Sequence, residues 1–453
     1  MAVEGSQPLT AGAAQVDVSP RASQFLFGYP HVERYSTGIH DPLWSSALYL
    51  SDGRTRLLFI GNDVIFVGKG TVERVRRRIR EATGVPEEAV MITATHTHSG
   101  PATVDYVNSS ADEAVPLVDP VYLELLENGM VEAAGEAVRR ARPAAAGFAA
   151  ADAAGVGTNR RDPSGPSDPE VPVLMVREAG SGKPMAGMLV CSMHPTVLHE
   201  DSRLVSGDFP GLARIGLQRD LLGGRTPVIY HTGPAGNQSP RHAVRTNTFE
   251  EAERLGGLLA ESVLEAVNGV EYRSSLSLSC RSRDVDLPRR VFPDVAEARR
   301  GLEAAREKLD RLRRGGASRQ ACRTAECDWF GAEEIVVLAQ AAERGRLDPF
   351  YASCLPAEIQ ISRLGPWTYV GWPGELFVEY GLAVKRRFAD TYVISLANGD
   401  LQGYVVTEEA AREGGYEASN ALFGPQAGEV LVRETLSELD AAQSEERGAA
   451  RPD

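Results

Sequence analysis

The chain has 453 residues, of which 43% are hydrophobic and 24% are charged, so it can bury a large core as one α/β domain or two smaller ones. Its 62 acidic residues outnumber the 48 basic ones, and the net charge of −14 argues against nucleic acid and anionic membrane surfaces as main partners. The longest apolar runs, such as residues 335–342, are far too short to cross a bilayer, so no integral membrane association is expected.

The N-terminal third predicts alternating strands and helices. The N-terminus lacks the basic and apolar segments of a secretory signal, so we expect a cytoplasmic protein. Residues 56–68 predict one long buried strand or a strand pair, residues 70–86 predict a helix that stops at Gly84 and Pro86, and residues 89–98 predict the next strand. A strand–helix–strand order predicts a parallel sheet, and hence an α/β fold with central β-sheets flanked by helices.

The same alternation continues along the chain. Further helices are predicted at 121–142 and 249–269. Further strands are predicted at 171–176, 186–195, 225–240, 274–287, 364–375 and 391–400. The segment 274–287 alternates polar and apolar residues, as a half-exposed antiparallel strand does. The five cysteines show no framework spacing, so we expect reduced or buried thiols.

Residues 293–346 differ from the rest because they predict a helical hairpin. Apolar residues from Val295 to Leu312 recur at spacings of three and four, Gly315-Gly316 ends the run, and a second helix follows near 332–344. We expect an insertion that packs on the sheet, with a lid over the site as the alternative. Residues 1–440 then form a single domain that includes this insertion, and residues 441–453 form a flexible polar tail.

His96 and His98 lie one residue apart at the end of an apolar run. In an extended strand residues i and i+2 point to the same side, so both imidazoles are expected to project together, with Thr97 opposite. One histidine could merely cap the strand while the other faces water. The alternative is a metal site, although a His-x-His pair is weak on its own because it occurs in several metalloenzyme folds.

Four more polar residues follow apolar strands after a Gly or Pro turn: His194, Ser239, Glu375 and Tyr404. Open α/β sheets place ligands just beyond the carboxyl ends of their strands. Two histidines and a glutamate with an open position form a catalytic zinc set, and a tyrosine oxygen could be a further ligand. His40 and Asp63 could hydrogen-bond the ligating imidazoles. Ser239 could instead cap a turn through Pro240.

The chain resembles the neutral/alkaline, non-lysosomal ceramidases. The most specific match is Thr-His-Thr-His-Ser-Gly-Pro at 95–101, together with the tyrosine-containing segment 403–425. The other matching stretches, in the same order along the chain, are 38–50, 158–163, 168–176, 191–198, 233–241 and 372–377. The resemblance implies an α/β catalytic domain over residues 1–440.

The resemblance also implies roles for eight residues. A catalytic zinc ion (Zn2+) would be held by His96, His194, Glu375 and Tyr404. The second motif histidine, His98, would act as general base and acid. Arg160 and Tyr416 would hold the substrate and the developing oxyanion, and Ser239 matches a serine that the family needs for activity.

The function expected from this resemblance is zinc-dependent hydrolysis of an amide bond in an N-acyl, small-molecule substrate. The helical hairpin stands where the family has glycine-rich loops, and the family's C-terminal β-sandwich has no counterpart, which favours a substrate smaller or more polar than ceramide. Two alternatives stay open: an acyl-transfer, amide-forming or cyclising enzyme of a biosynthetic pathway, and a non-catalytic metal- or ligand-binding protein. Formation of a homo-oligomer is also left open.

Overall fold

A nine-stranded sheet forms the centre of the computed structural model, which describes residues 7–224 and 226–449. Its eight longer strands are β1 (Thr10–Asp17), β2 (Trp44–Ser51), β3 (Arg56–Asn62), β4 (Val90–Ala94), β5 (Arg142–Asp152), β6 (Glu170–Glu178), β7 (Pro184–Cys191) and β8 (Val228–Thr232). Their order across the sheet is β8-β7-β6-β5-β1-β2-β3-β4, and Tyr272–Arg273 pairs with β5.

A second, four-stranded sheet lies against the first. Its strands, in order, are β9 (Leu278–Val285), β10 (Ala357–Leu364), β11 (Trp367–Gly371) and β12 (Thr391–Ile394). The last two strands pair in parallel, and the others are antiparallel. Among the buried side chains between the sheets, Phe59 and Met91 come from the first sheet and Tyr369 from the second. Burying each such side chain contributes about 1.5–3 kcal/mol.

Helices cover the outer faces of the two sheets. The longer helices are α1 (Lys69–Thr83), α2 (Pro120–Arg139), α3 (Asp208–Asp220), α4 (Phe249–Ala266), α5 (Val295–Arg314), α6 (Arg319–Glu343), α8 (Val378–Arg387) and α11 (Ala427–Ala449). The shorter ones are α7 (Asp348–Cys354), α9 (Glu408–Glu413) and α10 (Tyr416–Ser419). No helix among the described residues is both long and apolar enough to cross a membrane.

Three parallel strand pairs are joined through helices: β3-α1-β4, β7-α3-β8 and β11-α8-β12. Helix α1 buries Val72, Val75 and Ile79 on one face and ends at Gly84, whose φ of 71° closes the last turn. The predicted α/β fold with flanking helices is therefore confirmed. The carboxyl ends of β4, β7 and β11 carry the loops that build the site.

The larger sheet curls until its edge strand β8 packs across β3 and β4. The backbones approach closely because position 61 is glycine: a Cβ there would lie 2.8 Å from the Tyr230 carbonyl oxygen. Thr93 Oγ1 lies 2.7 Å from His231 Nδ1, and Thr232 donates to the Thr95 carbonyl at 2.9 Å. Segments far apart in the sequence therefore meet at one end of the sheet.

The predicted hairpin is formed by α5 and α6, and its second helix is longer than expected because it begins at Arg319. That residues 441–453 form a flexible tail stays a prediction. Helix α11 continues past residue 441 to Ala449, and Arg387 and Arg283 form ion pairs with Asp440 and Glu438. Residues 450–453 lie outside the described residues. The five thiols are unpaired.

Candidate metal centre and active site

Loops from three strands bring three predicted metal ligands to one point. His96 follows β4, His194 follows β7 and Glu375 follows β11. The Nε2 atoms of the two histidines lie 2.9 Å apart, and Glu375 Oε2 lies 3.2 Å from His96 Nε2 and 3.1 Å from His194 Nε2. The three residues are 1%, 1% and 6% exposed, so the point where they meet is shielded from bulk water.

The chain path through the His-x-His motif differs from the predicted strand. β4 ends at Ala94, and His96 has a φ of 67°, in the left-handed region that histidine enters more often than most side chains. The His96 amide donates to the Val64 carbonyl at 2.9 Å, which turns the chain out of the sheet. The extended geometry expected for the pair is therefore wrong. The two imidazoles nevertheless face each other, with their Nε2 atoms 3.4 Å apart.

Three imidazoles at the site bond backbone carbonyl oxygens through Nδ1: His96 to Ile65 (3.0 Å), His194 to Ala235 (2.8 Å) and His98 to Gly28 (3.2 Å). A carbonyl oxygen only accepts, so each Nδ1 carries the proton of a neutral ring. Each Nε2 then presents a lone pair to the cluster. This is the tautomer that an outer hydrogen bond imposes on a metal-ligating histidine.

The cluster has the donor set and the spacing of a divalent-metal site. Glu375 Oε2 is buried without a hydrogen-bond partner, because the nitrogens beside it carry no proton to donate. Lone pairs that converge in this way repel one another unless a cation lies between them. Ligand atoms around a tetrahedral zinc ion lie about 3.3 Å apart, close to the 2.9–3.2 Å separations here. The three imidazoles each offer a ligand atom within 4.8 Å of the others.

Electrostatics favour neutral His98 and His194 beside an ionised Glu375. Burial and the neighbouring imidazoles hold the pKa of His98 well below its usual range. Burial and the Arg160 charge lower the pKa of His194 to about 4. Burial alone would raise the pKa of Glu375, and positive charge at His96 and His194 lowers it well below its usual range; with both rings neutral, a bound cation would supply that charge. The site therefore carries a net negative charge, which favours a cation.

Asp63 supports the site indirectly. It was expected to bond a ligating imidazole, but its carboxylate instead pairs with Arg214 at 2.6 and 2.9 Å and accepts the Trp44 amide at 2.8 Å. These bonds fix the turn that carries the Ile65 carbonyl, the partner of His96. His40 was expected in the same role. It bonds Asp41 and stacks on Phe249 instead. Backbone carbonyl oxygens, and not His40, accept the hydrogen bonds of the ligating imidazoles.

Arg160 lies beside the cluster and keeps one nitrogen free. Its Nε donates to Glu417 Oε1 at 2.7 Å, and its guanidinium carbon lies 5.2 Å from the centre of the Tyr404 ring. Its Nη2 is buried and has no hydrogen-bond partner among the described residues. An unpartnered cationic donor in a cavity wall is available to an oxygen of a bound substrate.

Tyr404 and Tyr416 stand next to each other at the mouth of the cluster. Tyr404 pairs with Glu375 in a short parallel bridge, its ring centre is 6.3 Å from that of His194, and the Tyr416 ring is 5.8 Å away. Burial raises the pKa of both phenols well above the usual range, so both are protonated in the protein alone. Metal ligation by Tyr404 and oxyanion binding by Tyr416 stay predictions.

Ser239 lines the same cavity but also caps a turn. Its Oγ accepts the Arg241 amide at 3.2 Å at the start of the short helix Pro240–His242. No histidine among the described residues bonds this hydroxyl. The arrangement matches the turn-capping alternative and gives Ser239 no base that would make it a nucleophile.

Two cavities meet at His98, Tyr404 and Tyr416. The larger encloses about 1030 Å3 and the smaller about 530 Å3, each including its open mouth, in the range of small-molecule sites. Helix α6 forms a wall of both, with Arg323 in the first and Glu334 in the second. The hairpin therefore lines the site as well as packing on the fold.

The sequence analysis missed Glu334 and Glu417 as residues of the site. Glu417 is buried against Arg160, and burial raises the pKa of Glu334 to about 8. The only sequence signal for Glu334 is a carboxylate within the partly apolar run that ends α6, which is common in surface helices. Glu334 is distinguished from the carboxylates of ordinary surface helices only by the position of the hairpin over the cavity.

Comparisons with known proteins find similarity to neutral ceramidases. Residues 9–232 match the family model of neutral/alkaline non-lysosomal ceramidase, N-terminal. A neutral ceramidase of Mycobacterium tuberculosis is 25% identical over 92% of this chain and 74% of its own length. One from Pseudomonas aeruginosa is 22% identical, over 92% of this chain and 70% of its own.

Solved structures show the same fold. The crystal structure of neutral ceramidase from Pseudomonas aeruginosa matches with a TM-score of 0.73 at 20% identity, over 94% of this chain and 73% of that one. A ceramidase complexed with C2 matches with a TM-score of 0.71 at 18% identity, over 94% of this chain and 74% of that one. Family model, relatives and solved structures all support a relationship to the neutral/alkaline non-lysosomal ceramidase family.

Proposed function

We propose that the protein is a zinc-dependent amidohydrolase that cleaves the amide bond of an N-acyl small molecule. The observation that carries this proposal is the convergence of His96 Nε2, His194 Nε2 and Glu375 Oε2, with both imidazole Nδ1 protons held by backbone carbonyls. The family relationship supports an amide-bond hydrolase. The cytoplasmic location and a homo-oligomer stay predictions.

A bound zinc ion would supply Lewis-acid activation of water and of the amide carbonyl. The residues around it supply the rest. His98, neutral at pH 7 and 3.4 Å from His96, takes a proton from the attacking water and returns it to the leaving nitrogen. Water oxygen bonds to the carbonyl carbon, the C–N bond breaks, and an acid and an amine leave. The free Nη2 of Arg160 donates to the oxyanion.

The lining of the cavities supports a substrate smaller or more polar than ceramide. Charged and polar side chains, including Arg160, Arg323 and Glu334, face both cavities. Burying a long alkyl chain against these charged and polar side chains would cost part of their hydration without a compensating contact. We therefore expect short or polar N-acyl amines to be hydrolysed faster than long-chain ceramide.

The proposal is tested by measuring the zinc content and the hydrolytic activity of the same protein samples. Chelated protein should hydrolyse no N-acyl amine, and one equivalent of zinc should restore hydrolysis. His96→Ala and Glu375→Ala should lose both zinc and turnover, whereas His98→Ala should keep zinc and lose turnover. His40→Ala, a histidine stacked on Phe249 away from the cavities, serves as the matched control. Full activity in zinc-free protein would refute the proposal, and a product that contains an added amine would instead indicate acyl transfer.

A further inference from the structure

The charges of the two cavities differ in sign. Five arginines line the larger cavity, which we call the arginine arm: Arg160, Arg241, Arg245, Arg319 and Arg323. None of the described residues that line this arm is Asp or Glu. The smaller cavity has the opposite character, because the ionised Glu375 lines it and no Lys or Arg among the described residues does; Glu334, with a pKa raised to about 8, is mostly protonated at pH 7. The two cavities meet at His98, the proposed general base.

Three of these arginines have no carboxylate in direct ion-pair contact among the described residues, although Glu417 and Glu251 lie near enough to interact with the charges of Arg241 and Arg245. Arg323 pairs with Glu200 at 3.0 Å and Arg160 with Glu417 at 2.7 Å. In the described part of the chain, Arg241, Arg245 and Arg319 form no ion pair. The Arg241 guanidinium donates to the weakly accepting Cys327 thiol at 3.8 Å, and Arg319 donates to the Asn247 amide oxygen at 2.6 Å.

This surplus of positive charge contrasts with the rest of a chain whose net charge is −14. Two separate segments supply it: the loop that follows Ser239 and the first turns of α6. Like charges that gather in one cavity repel one another, so the arrangement is stable only if an anion is bound or water screens the charges. Arginine forks fit carboxylate and phosphate oxygens through paired N–H donors.

We propose that the amide substrate carries an anionic group, a carboxylate or a phosphate, that binds in the arginine arm while the amide lies at His98. This inference rests on the proposed hydrolase function and names its substrate class. Apart from the proposed zinc ion, the smaller cavity offers no Lys or Arg among the described residues to receive such a group, so the anion also sets the direction in which the substrate lies. A neutral acyl chain would leave the arginines without a partner.

The test compares amides that share one amine and one acyl length and differ only at the far end of the acyl chain. That end carries a carboxylate, a phosphate monoester, a methyl ester or a trimethylammonium group. With zinc-loaded protein we expect kcat/KM for one of the two anions to exceed that of the methyl ester by about tenfold or more. The preference should shrink as salt is raised. The carboxylate and phosphate substrates show which anion is preferred.

Substitution of single arginines shows which side chains cause the preference for anionic substrates. Arg241→Gln and Arg319→Gln should each raise KM for the preferred anion by about five- to tenfold and leave the methyl ester within about twofold. Arg299→Gln, an exposed arginine of α5, should change neither. Equal kcat/KM for anionic and neutral substrates, or an equal loss on both in the arginine variants, would overturn the inference.

Calorimetric titration with glutarate and with inorganic phosphate separates this inference from the proposed function. Binding that disappears in the double variant Arg241→Gln/Arg319→Gln supports the arginine arm even if no amide is hydrolysed, in which case only the hydrolase proposal fails. Hydrolysis without anion preference and without anion binding would support the proposed hydrolase function and would overturn the proposed role of the arginine arm.

Discussion

Helix α6 of the hairpin lines the cavities beside the candidate metal centre, and the two regions are stabilised in different ways. Behind the candidate metal centre a charged pair is buried: Asp63 and Arg214 expose 1% and 3% of their side chains. On the hairpin, the Lys308–Asp328 pair joins α5 to α6 with 55% and 21% of the side chains exposed. The buried side fixes geometry, whereas the exposed side can change its residues at little cost in stability.

The largest expected effect on stability is at the buried pair. Asp63→Asn leaves Arg214 as a buried charge without a full counter-charge, so the free energy of unfolding should fall by about 3–5 kcal/mol. Chemical denaturation monitored by circular dichroism measures it. A loss below 1 kcal/mol would show that this pair does not anchor the turn that holds His96.

Arg160 tests whether the buried side also supplies a transition-state donor. Arg160→Gln removes the free Nη2 beside the cluster, and loss of one such donor costs about 10²–10³-fold in kcat. Steady-state kinetics and zinc content should show the loss of rate with the metal retained. A change in KM alone would assign Arg160 to ground-state binding instead.

Gly28 tests how tightly His98 is held. A Cβ at this position would lie 2.3 Å from His98 Nδ1, at a φ of 119°. Gly28→Ala should therefore displace the imidazole and lower kcat about ten- to a hundredfold with zinc still bound, since small misplacement of a catalytic group costs on this order.

Gly53→Ala is the matched control for this substitution. Its φ is 85°, but its Cβ would meet open space, so it carries the backbone strain without the contact. We expect Gly53→Ala to lose some stability and to keep its kcat. Equal kcat values for the two variants would contradict the tight placement of His98.

The smallest effect is expected on the hairpin. Asp328→Asn breaks the exposed pair with Lys308, and surface pairs of this kind contribute about 0–1 kcal/mol. Denaturation under the conditions used for Asp63→Asn gives the direct comparison. A loss as large as that of Asp63→Asn would remove the distinction between the two regions.

Much of the fold follows from local patterns in the sequence. The apolar spacing of α1 and its stop at Gly84 are set by neighbours along the chain, as is the seam of the hairpin. The turn at His96 was not predictable in this way. It depends on the Val64 carbonyl, which a separate strand delivers.

The site shows the same division between local and long-range information. The motifs around His96, His194 and Glu375 mark candidate ligands, but only the curl of the sheet brings the residues after β4 and β7 together. The arginine arm carries no sequence motif, because Arg241 and Arg319 come from two segments that meet only in the folded chain. Contacts between segments that are distant in the sequence therefore determine the parts of the site that the periodicity of apolar residues does not predict.

The most direct measurement is a zinc-edge anomalous difference map from crystals of the protein grown with one equivalent of zinc. We predict a single strong peak about 2.0–2.2 Å from His96 Nε2, His194 Nε2 and Glu375 Oε2 together. An ordered cluster with no peak among those three atoms, in protein that still hydrolyses its substrate, would contradict the account.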